Sequence, residues 1–270
     1  MVFVTVTFIH SADLHLGRTF TSLRTLPQPI YEQVIESSFR ALENLVNQAI
    51  QSKVDFVLFV GDVFDSESVS LRTYLRFRQQ MEKLNEHGIH VFLSYGNHDP
   101  IREDHQTVQW PDNVTVFTDE TVTRETYTNL SGQVVNIYGF SYTKKVISSN
   151  KSHEYIKTGH ADYHIAMLHG HAEGQSGHDP YSPFSVQELV NQPFDYWALG
   201  HIHKRQTLAM NPPVVYPGNI QGMHQQEQGE KGCVLVTLSK KAPPVITFVP
   251  TANIVWFEEE IDITHIETLD

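Results

Sequence analysis

The sequence predicts an α/β (α+β) fold in which two packed mixed β-sheets are flanked by helices, a four-layer sandwich. Three observations predict it. Strand-like and helix-like periods alternate through the first three quarters of the chain, helical periodicity then gives way to short β-branched runs, and five polar clusters each sit just past a strand end. Open α/β sheets collect their ligands at such ends. With 270 residues, 40% of them hydrophobic, the chain is long enough to bury one large core.

The elements follow in order. An apolar, β-branched strand from Val4 to Ile9 leads into Ser11-Ala12-Asp13-Leu14-His15. A helix over about Tyr31 to Ser52 puts Val34, Ala41, Leu42, Leu45, Val46 and Ala49 on one face. Val54 to Val60 is almost continuously apolar, as a strand covered on both faces requires, and stops at Gly61-Asp62. A second helix, about Ser68 to Glu86, has Asp65 and Ser66 as capping candidates and Gly88 as its left-handed terminator. Strands follow at Ile89 to Tyr95, Val114 to Phe117, Val134 to Phe140 and His164 to Leu168. A short helix at Ser185 to Val190 precedes the strand Asp195 to Leu199. Beyond about residue 206 only antiparallel strands are expected: Val214 to Tyr216, Cys233 to Leu238, Val245 to Pro250 and Ile254 to Ile263. No internal repeat or low-complexity run interrupts the pattern.

Bulk composition narrows the function classes. The single Cys233 excludes a disulfide framework within the chain and a cysteine-rich zinc site, which fits a reducing compartment, with the cytoplasm as the default. No apolar run approaches the roughly 18 residues of a membrane span, so no membrane partner is expected. The formal net charge of -12 argues against a nucleic-acid partner unless bound cations reverse the local field.

The chemistry lies in Asp13-x-His15, Gly61-Asp62, Gly96-Asn97-His98-Asp99, His169-Gly170 and Gly200-His201-x-His203. Carboxylates, imidazoles and one amide form the oxygen and nitrogen donor set that suits Mn²⁺, Fe²⁺ or Zn²⁺. Residues two apart in an extended segment point the same way, so Asp13 with His15, and His201 with His203, are each expected to aim two ligands at one small volume. Gly61, Gly96 and Gly200 precede ligand candidates, where a missing Cβ admits tight turns and close approach. Asp62 is placed to bridge two cations. Such a pair acidifies a water and clamps the attacking and leaving oxygens of a phosphoryl displacement.

With these clusters in that order from Asp13 to His203, the chain resembles the calcineurin-like metallophosphoesterases. The resemblance implies Asp13, His15, Asp62 and His203 on one metal and Asp62, Asn97, His169 and His201 on the other. It implies His98 as the catalytic residue, protonating the departing oxygen or stabilising charge on the phosphate, with Asp99 orienting its ring. Two divalent ions, Mn²⁺ first and Fe²⁺ or Zn²⁺ as alternatives, are the implied cofactors. A finer resemblance, to the SbcD-like, YhaO-type DNA-repair exonuclease branch, rests on Phe8 to Gly17, Gly61-Asp62-Val63-Phe64-Asp65 and Tyr216-Pro217-Gly218-Asn219. It implies hydrolysis of DNA phosphodiester bonds beside an SMC-like (SbcC-type) ATPase subunit, with a homodimer left open. Residues 1–270 are then expected to form one nuclease domain with a β-rich part at about 206–270, lacking the C-terminal capping and partner-binding segments of such subunits.

Other residues are weighed individually. Arg18, Arg102, Lys204-Arg205 and His171 are candidates for substrate contact, although surface charges are usually merely solvated and His171 could equally be a solvated loop residue. His10 is expected to be a hydrogen-bonded core histidine. His178, Tyr181 and Phe184 lie in a Gly/Pro-rich loop that could border the site, with packing the default role of the two aromatics. A cyclic-nucleotide phosphodiesterase or phosphoprotein phosphatase would use the same ligands, and a non-catalytic scaffold would be expected to have lost some of them.

Overall fold

The computed structural model describes residues 5–20, 23–66, 69–101, 109–174, 181–262 and 264. Among the described residues, twelve strands form two six-stranded mixed sheets, with β1 (Thr5–Ser11), β2 (Phe56–Val60), β3 (His90–Ser94) and β4 (Val114–Val116) in the first. The second begins with β5 (Thr123–Thr128), β6 (Val134–Gly139), β7 (Tyr163–His169) and β8 (Tyr196–Gly200). Helices α1 (Gln28–Gln51) and α2 (Leu71–Glu86) cover the first sheet, and the short α3 (Val186–Val190) lies on the second.

The C-terminal strands do not stay together. β9 (Gln206–Met210) and β10 (Pro213–Tyr216) extend the second sheet, whose order is β5-β6-β7-β8-β10-β9, whereas β11 (Gly232–Ser239) and β12 (Ala242–Pro250) complete the first as β12-β11-β1-β2-β3-β4. The chain therefore crosses between layers after Tyr216, and β11 runs antiparallel beside β1 from Thr5↔Ser239 to His10↔Val234.

Alternation along the central strands separates three cores. In β2, Val57 and Phe59 pack under the helices with Leu42, Leu45, Phe77 and Met81, while Phe56, Leu58 and Val60 pack between the sheets against Ile165, Met167, Tyr196 and Ala198. Trp197 and Leu199 of β8 pack on the outer side of the second sheet beneath Phe184 and Leu189. Period-2 strands with apolar residues on both faces bury both, the requirement read from the Val54 to Val60 run. His10 is fully buried in this interior, with ring nitrogens 3.0 Å from both the Tyr196 hydroxyl and the Leu199 carbonyl. Burial pushes its imidazole down to about 3, against the upward pull of the Leu199 carbonyl, so it stays neutral as a core residue.

Several local expectations are corrected. Helix α2 starts at Leu71, capped by Ser70, whose hydroxyl accepts from the Thr73 amide at 3.2 Å; Asp65 is occupied elsewhere. Strands β5 and β9 were not legible because they are the two edges of the second sheet: pairing on one side only, they carry mostly partly or fully exposed side chains and little apolar alternation. The stretch from Ile254 to Asp262 forms no strand. Its backbone is bound by side chains instead, Gln221 Oε1 accepting from the Asn253 amide at 2.8 Å and the Ile254 amide at 3.1 Å, and Phe257 and Ile261 are exposed. Among the described residues no helix is long and apolar enough to cross a membrane.

Candidate metal centre

The clusters converge because β1, β2 and β3 run parallel in one sheet, β7 and β8 run parallel in the other, and the two sets finish at the same edge of the sandwich. His169 is the last residue of β7, His201 follows β8 directly, and Asp62 lies two residues past β2. The extended-segment argument for Asp13 and His15 does not hold. Both have left-handed backbone, with φ of 53° and 45°, as do Asp62 at 49° and His201 at 101°. Six described residues other than glycine have positive φ, and four of them are these ligand candidates. Each such conformation costs on the order of 1 kcal/mol and persists only where the surroundings dictate it, which marks a functional site. His201 and His203 also separate, the first grouping with Asp62 and His169 and the second with Asp13 and His15.

Three overlapping sets of side chains, Asp13–His15–His203, His15–Asp62–His98 and Asp62–His169–His201, bring their donor atoms within 4.8 Å of one another. Asp62 Oδ2 lies 3.7 Å from His15 Nε2 and 3.5 Å from His169 Nε2, between the two outer sets. Asn97 Oδ1 completes one side at 3.0 Å from His169 Nε2 and 3.2 Å from His201 Nδ1. On the other side His15 Nε2 and His203 Nε2 are 3.1 Å apart. Gly96 is required by packing, since a Cβ there would collide with Asp62 Oδ1 and His169 Nε2.

The opposite nitrogen anchors three of these rings. His15 Nδ1 lies 3.1 Å from Asp65 Oδ1, His169 Nδ1 2.9 Å from the Val60 carbonyl and His203 Nδ1 2.7 Å from Glu227 Oε1, so each turns Nε2 inward, whereas His201 presents Nδ1. Asp13 accepts the His201 amide at 3.0 and 3.2 Å, tying β1 to β8. Asp65 and Glu227 were not identified from sequence in these roles. Asp65 lies where a helix cap is expected, and nothing near Glu227 resembles a ligand motif. Glu227 is itself fixed by the Asn219 amide group at 2.8 Å and the Met223 amide at 2.6 Å. Burial raises its carboxyl, but the His203 bond outweighs this and brings it down to about 2, so it remains an anion. Glu227→Gln is expected to weaken metal affinity by about 10- to 100-fold, the usual effect of losing a partner that orients a ligating imidazole, as titration calorimetry would measure.

Electrostatics fit cations. Burial alone would depress the His169 imidazole and raise the Asp62 carboxyl; the charge on Asp62 instead holds His169 up to about 9, and His169 holds Asp62 well below its ordinary value. Asp13 is pushed up mainly by burial, against the pull of the surrounding imidazoles. A buried cluster rich in imidazoles, carboxylates and one amide oxygen, with its inward nitrogens within coordinating reach of one another, suits a pair of divalent ions.

His98 is exposed at the rim, its ring 4.7 Å from that of His15 and its amide donating to Asp62 Oδ1 at 2.9 Å. Asp99 does not orient the His98 ring. Fully buried, it accepts the Gly96 amide at 2.7 Å and the Phe64 amide at 3.0 Å, pinning the β3 loop to the β2 loop, while His98 Nδ1 lies 3.4 Å from the Asp65 carbonyl. Burial, then the charge of Asp62, brings the Asp99 carboxyl up to about 7.

Arg18 pairs with Asp65 at 3.1 Å, which uses part of its charge. His171 is buried, not solvated, with its ring 6.0 Å from that of His201 and, among the described residues, no hydrogen-bond partner at Nδ1. Lys204 is exposed beside His203. Tyr181 approaches the His201 ring at 5.7 Å, and Phe184 is packed in the outer core. Arg102 and His178 lie outside the described residues.

Comparison with known proteins agrees with this geometry. A family model described as calcineurin-like phosphoesterase matches residues 6–205. A Bacillus subtilis protein described as an uncharacterized metallophosphoesterase, YhaO, is 38% identical over 265 residues, covering 98% of this chain and 65% of that protein. The DNA double-strand break repair protein Mre11 of Methanocaldococcus jannaschii is 28% identical over 248 residues, covering 86% of this chain and 62% of the relative. The chain thus spans under two thirds of the length of these relatives. Among solved structures, a dimetal phosphatase from Danio rerio superposes with a TM-score of 0.53 at 11% identity, covering 90% of this chain and 99% of that one, a likeness of fold alone.

Proposed function

Because the chain belongs to the calcineurin-like phosphoesterase family, we propose that it is a metal-dependent DNA exonuclease, a phosphodiesterase acting in DNA repair. The observation that carries the reading is the position of Asp62 between two sets of imidazoles at one sheet edge. Asp13, His15, Asp62 and His203 would hold one ion and Asp62, Asn97, His169 and His201 the other, with Mn²⁺ favoured by the mixed oxygen and nitrogen donors. When bound, the ions supply Lewis-acid polarisation of the phosphoryl oxygens and a water acidified toward neutral pH.

The chain's own residues do the rest. His98, exposed above the cluster, protonates the departing oxygen or stabilises charge on the phosphate. Asn97 donates without adding charge, which eases the approach of an anion. Asp99 fixes the loop that carries both residues. DNA as substrate is supported by similarity to Mre11 proteins and by the SbcD-like motifs at Phe8 to Gly17 and Tyr216 to Asn219. The same resemblance supports an SMC-like ATPase partner. That β11 pairs with β1 supports reading residues 1–270 as one domain.

A phosphatase or cyclic-nucleotide phosphodiesterase is the second reading, favoured by the net charge of -12. Incubating the chain and Mn²⁺ with end-labelled DNA, cyclic nucleotides and p-nitrophenyl phosphate decides between them. Shortening of the DNA, stopped by a chelator, is the expected result; turnover of the small esters with the DNA intact would reject the nuclease reading.

A further inference from the structure

Beside the metal centre a cleft of about 160 Å³ is lined by His203, Lys204, Arg205, Lys231 and Phe248. His203 belongs both to this cleft and to a candidate metal set, so the two spaces share a wall. The lining includes three cationic side chains against one carboxylate, Glu230, in a chain whose net charge is -12. Such a local excess of cationic groups suits an anionic occupant.

Two of the cationic groups, Arg205 and Lys231, are held in place. The Arg205 guanidinium lies 3.7 Å above the centroid of the Phe248 ring, a stack that fixes its donor plane before any ligand arrives. Lys231 is partly buried, and its Nζ donates to the His203 carbonyl at 3.4 Å, which keeps the ammonium at the inner end of the cleft. Pro217, Gly218 and Asn219, which follow β10, also line the cleft. Gly218 has φ of 78°, and a Cβ there would press on the His203 carbonyl at 2.8 Å and the Arg205 amide nitrogen at 2.9 Å. The Asn219 amide donates to the same His203 carbonyl at 3.3 Å. A turn that passes so close to the loop carrying His203 and Arg205 leaves the side chains of Lys204, Arg205 and Lys231 at the boundary of the open space.

We propose that this cleft is a subsite for the sugar-phosphate backbone of a DNA strand, holding the phosphodiester next to the one placed at the metals. The inference rests on the nuclease reading and deepens it, because a DNA strand carries a further phosphate beside the one at the metals, and the cleft shares its His203 wall with the candidate metal set. Phosphates are gripped by point charges and guanidinium forks without regard to base, so the subsite positions the strand and selects no sequence.

Anisotropy of fluorescein-labelled dT12, read on the Mn²⁺-loaded His98→Ala chain across a salt series, provides the test. Removing one phosphate contact to single-stranded DNA lowers the slope of log K against log salt by about 0.7. Lys231→Met and Arg205→Met are each expected to weaken binding about tenfold and to lower the slope by about that amount, with Lys231→Arg restoring both. A purely structural role for Lys231 would leave the slope unchanged. Unaltered slopes in both methionine variants, in a chain that cuts DNA when His98 is intact, would overturn the cleft alone. A chain that neither binds dT12 nor cuts DNA would overturn the nuclease reading and the cleft with it.

Discussion

Asp62→Asn is expected to lower phosphodiester hydrolysis by about 10³-fold or more, equivalent to about 4 kcal/mol of lost transition-state stabilisation. The substitution separates charge from shape. An asparagine Oδ1 can still accept the His98 amide that Asp62 Oδ1 now accepts at 2.9 Å, so the β3 loop keeps its anchor. What is lost is the negative charge 3.7 Å from His15 Nε2 and 3.5 Å from His169 Nε2. Without it, burial is no longer outweighed at His169, whose imidazole falls from about 9, and two cations would meet with no shared anion between them. Inductively coupled plasma mass spectrometry of the dialysed variant is expected to find substoichiometric metal with circular dichroism unchanged. Full metal occupancy with full activity would remove Asp62 from its bridging role.

His98→Ala is expected to lower kcat by about 10²- to 10⁴-fold while metal uptake stays at the wild-type level, the size of effect that loss of a positioned proton donor produces. The distinction from Asp62 comes from position. His98 is exposed and its contacts are peripheral, the His15 ring at 4.7 Å and the Asp65 carbonyl at 3.4 Å, so removing the imidazole leaves the inward-facing nitrogens of His15, His169 and His203 anchored as before. A leaving group that needs no proton provides the discriminating measurement. Hydrolysis of a p-nitrophenyl ester should fall much less than hydrolysis of a diester with an alkoxide leaving group. Equal losses on both would assign His98 to charge stabilisation instead.

Much of this was legible along the chain because of where the chemistry sits. Ligand-bearing loops follow strands whose apolar runs are long and regular, so Asp13, Asp62, Asn97, His169, His201 and His203 could be identified from their positions past strand ends. Edge strands β5 and β9 gave no such pattern, being solvated on one flank. The stretch from Ile254 has the β-branched residues of a strand but is held by the Gln221 side chain and by the Gly222 carbonyl, to which the Trp256 indole donates, contacts that no local propensity encodes.

Sequence by itself indicated the central strands, the two long helices and the polar clusters just past the strand ends, because period-2 burial and the residue types at strand ends are local properties. Only the tertiary structure decided how those side chains are held and which of them meet in space. It turned Asp13, His15, Asp62 and His201 into left-handed backbone, gave Asp65 to His15 and Glu227 to His203, and set Asp99 to pinning loops. The physical reason is that hydrogen bonds between residues far apart in sequence form only after the two sheets have stacked, and their partners are chosen by distance in space.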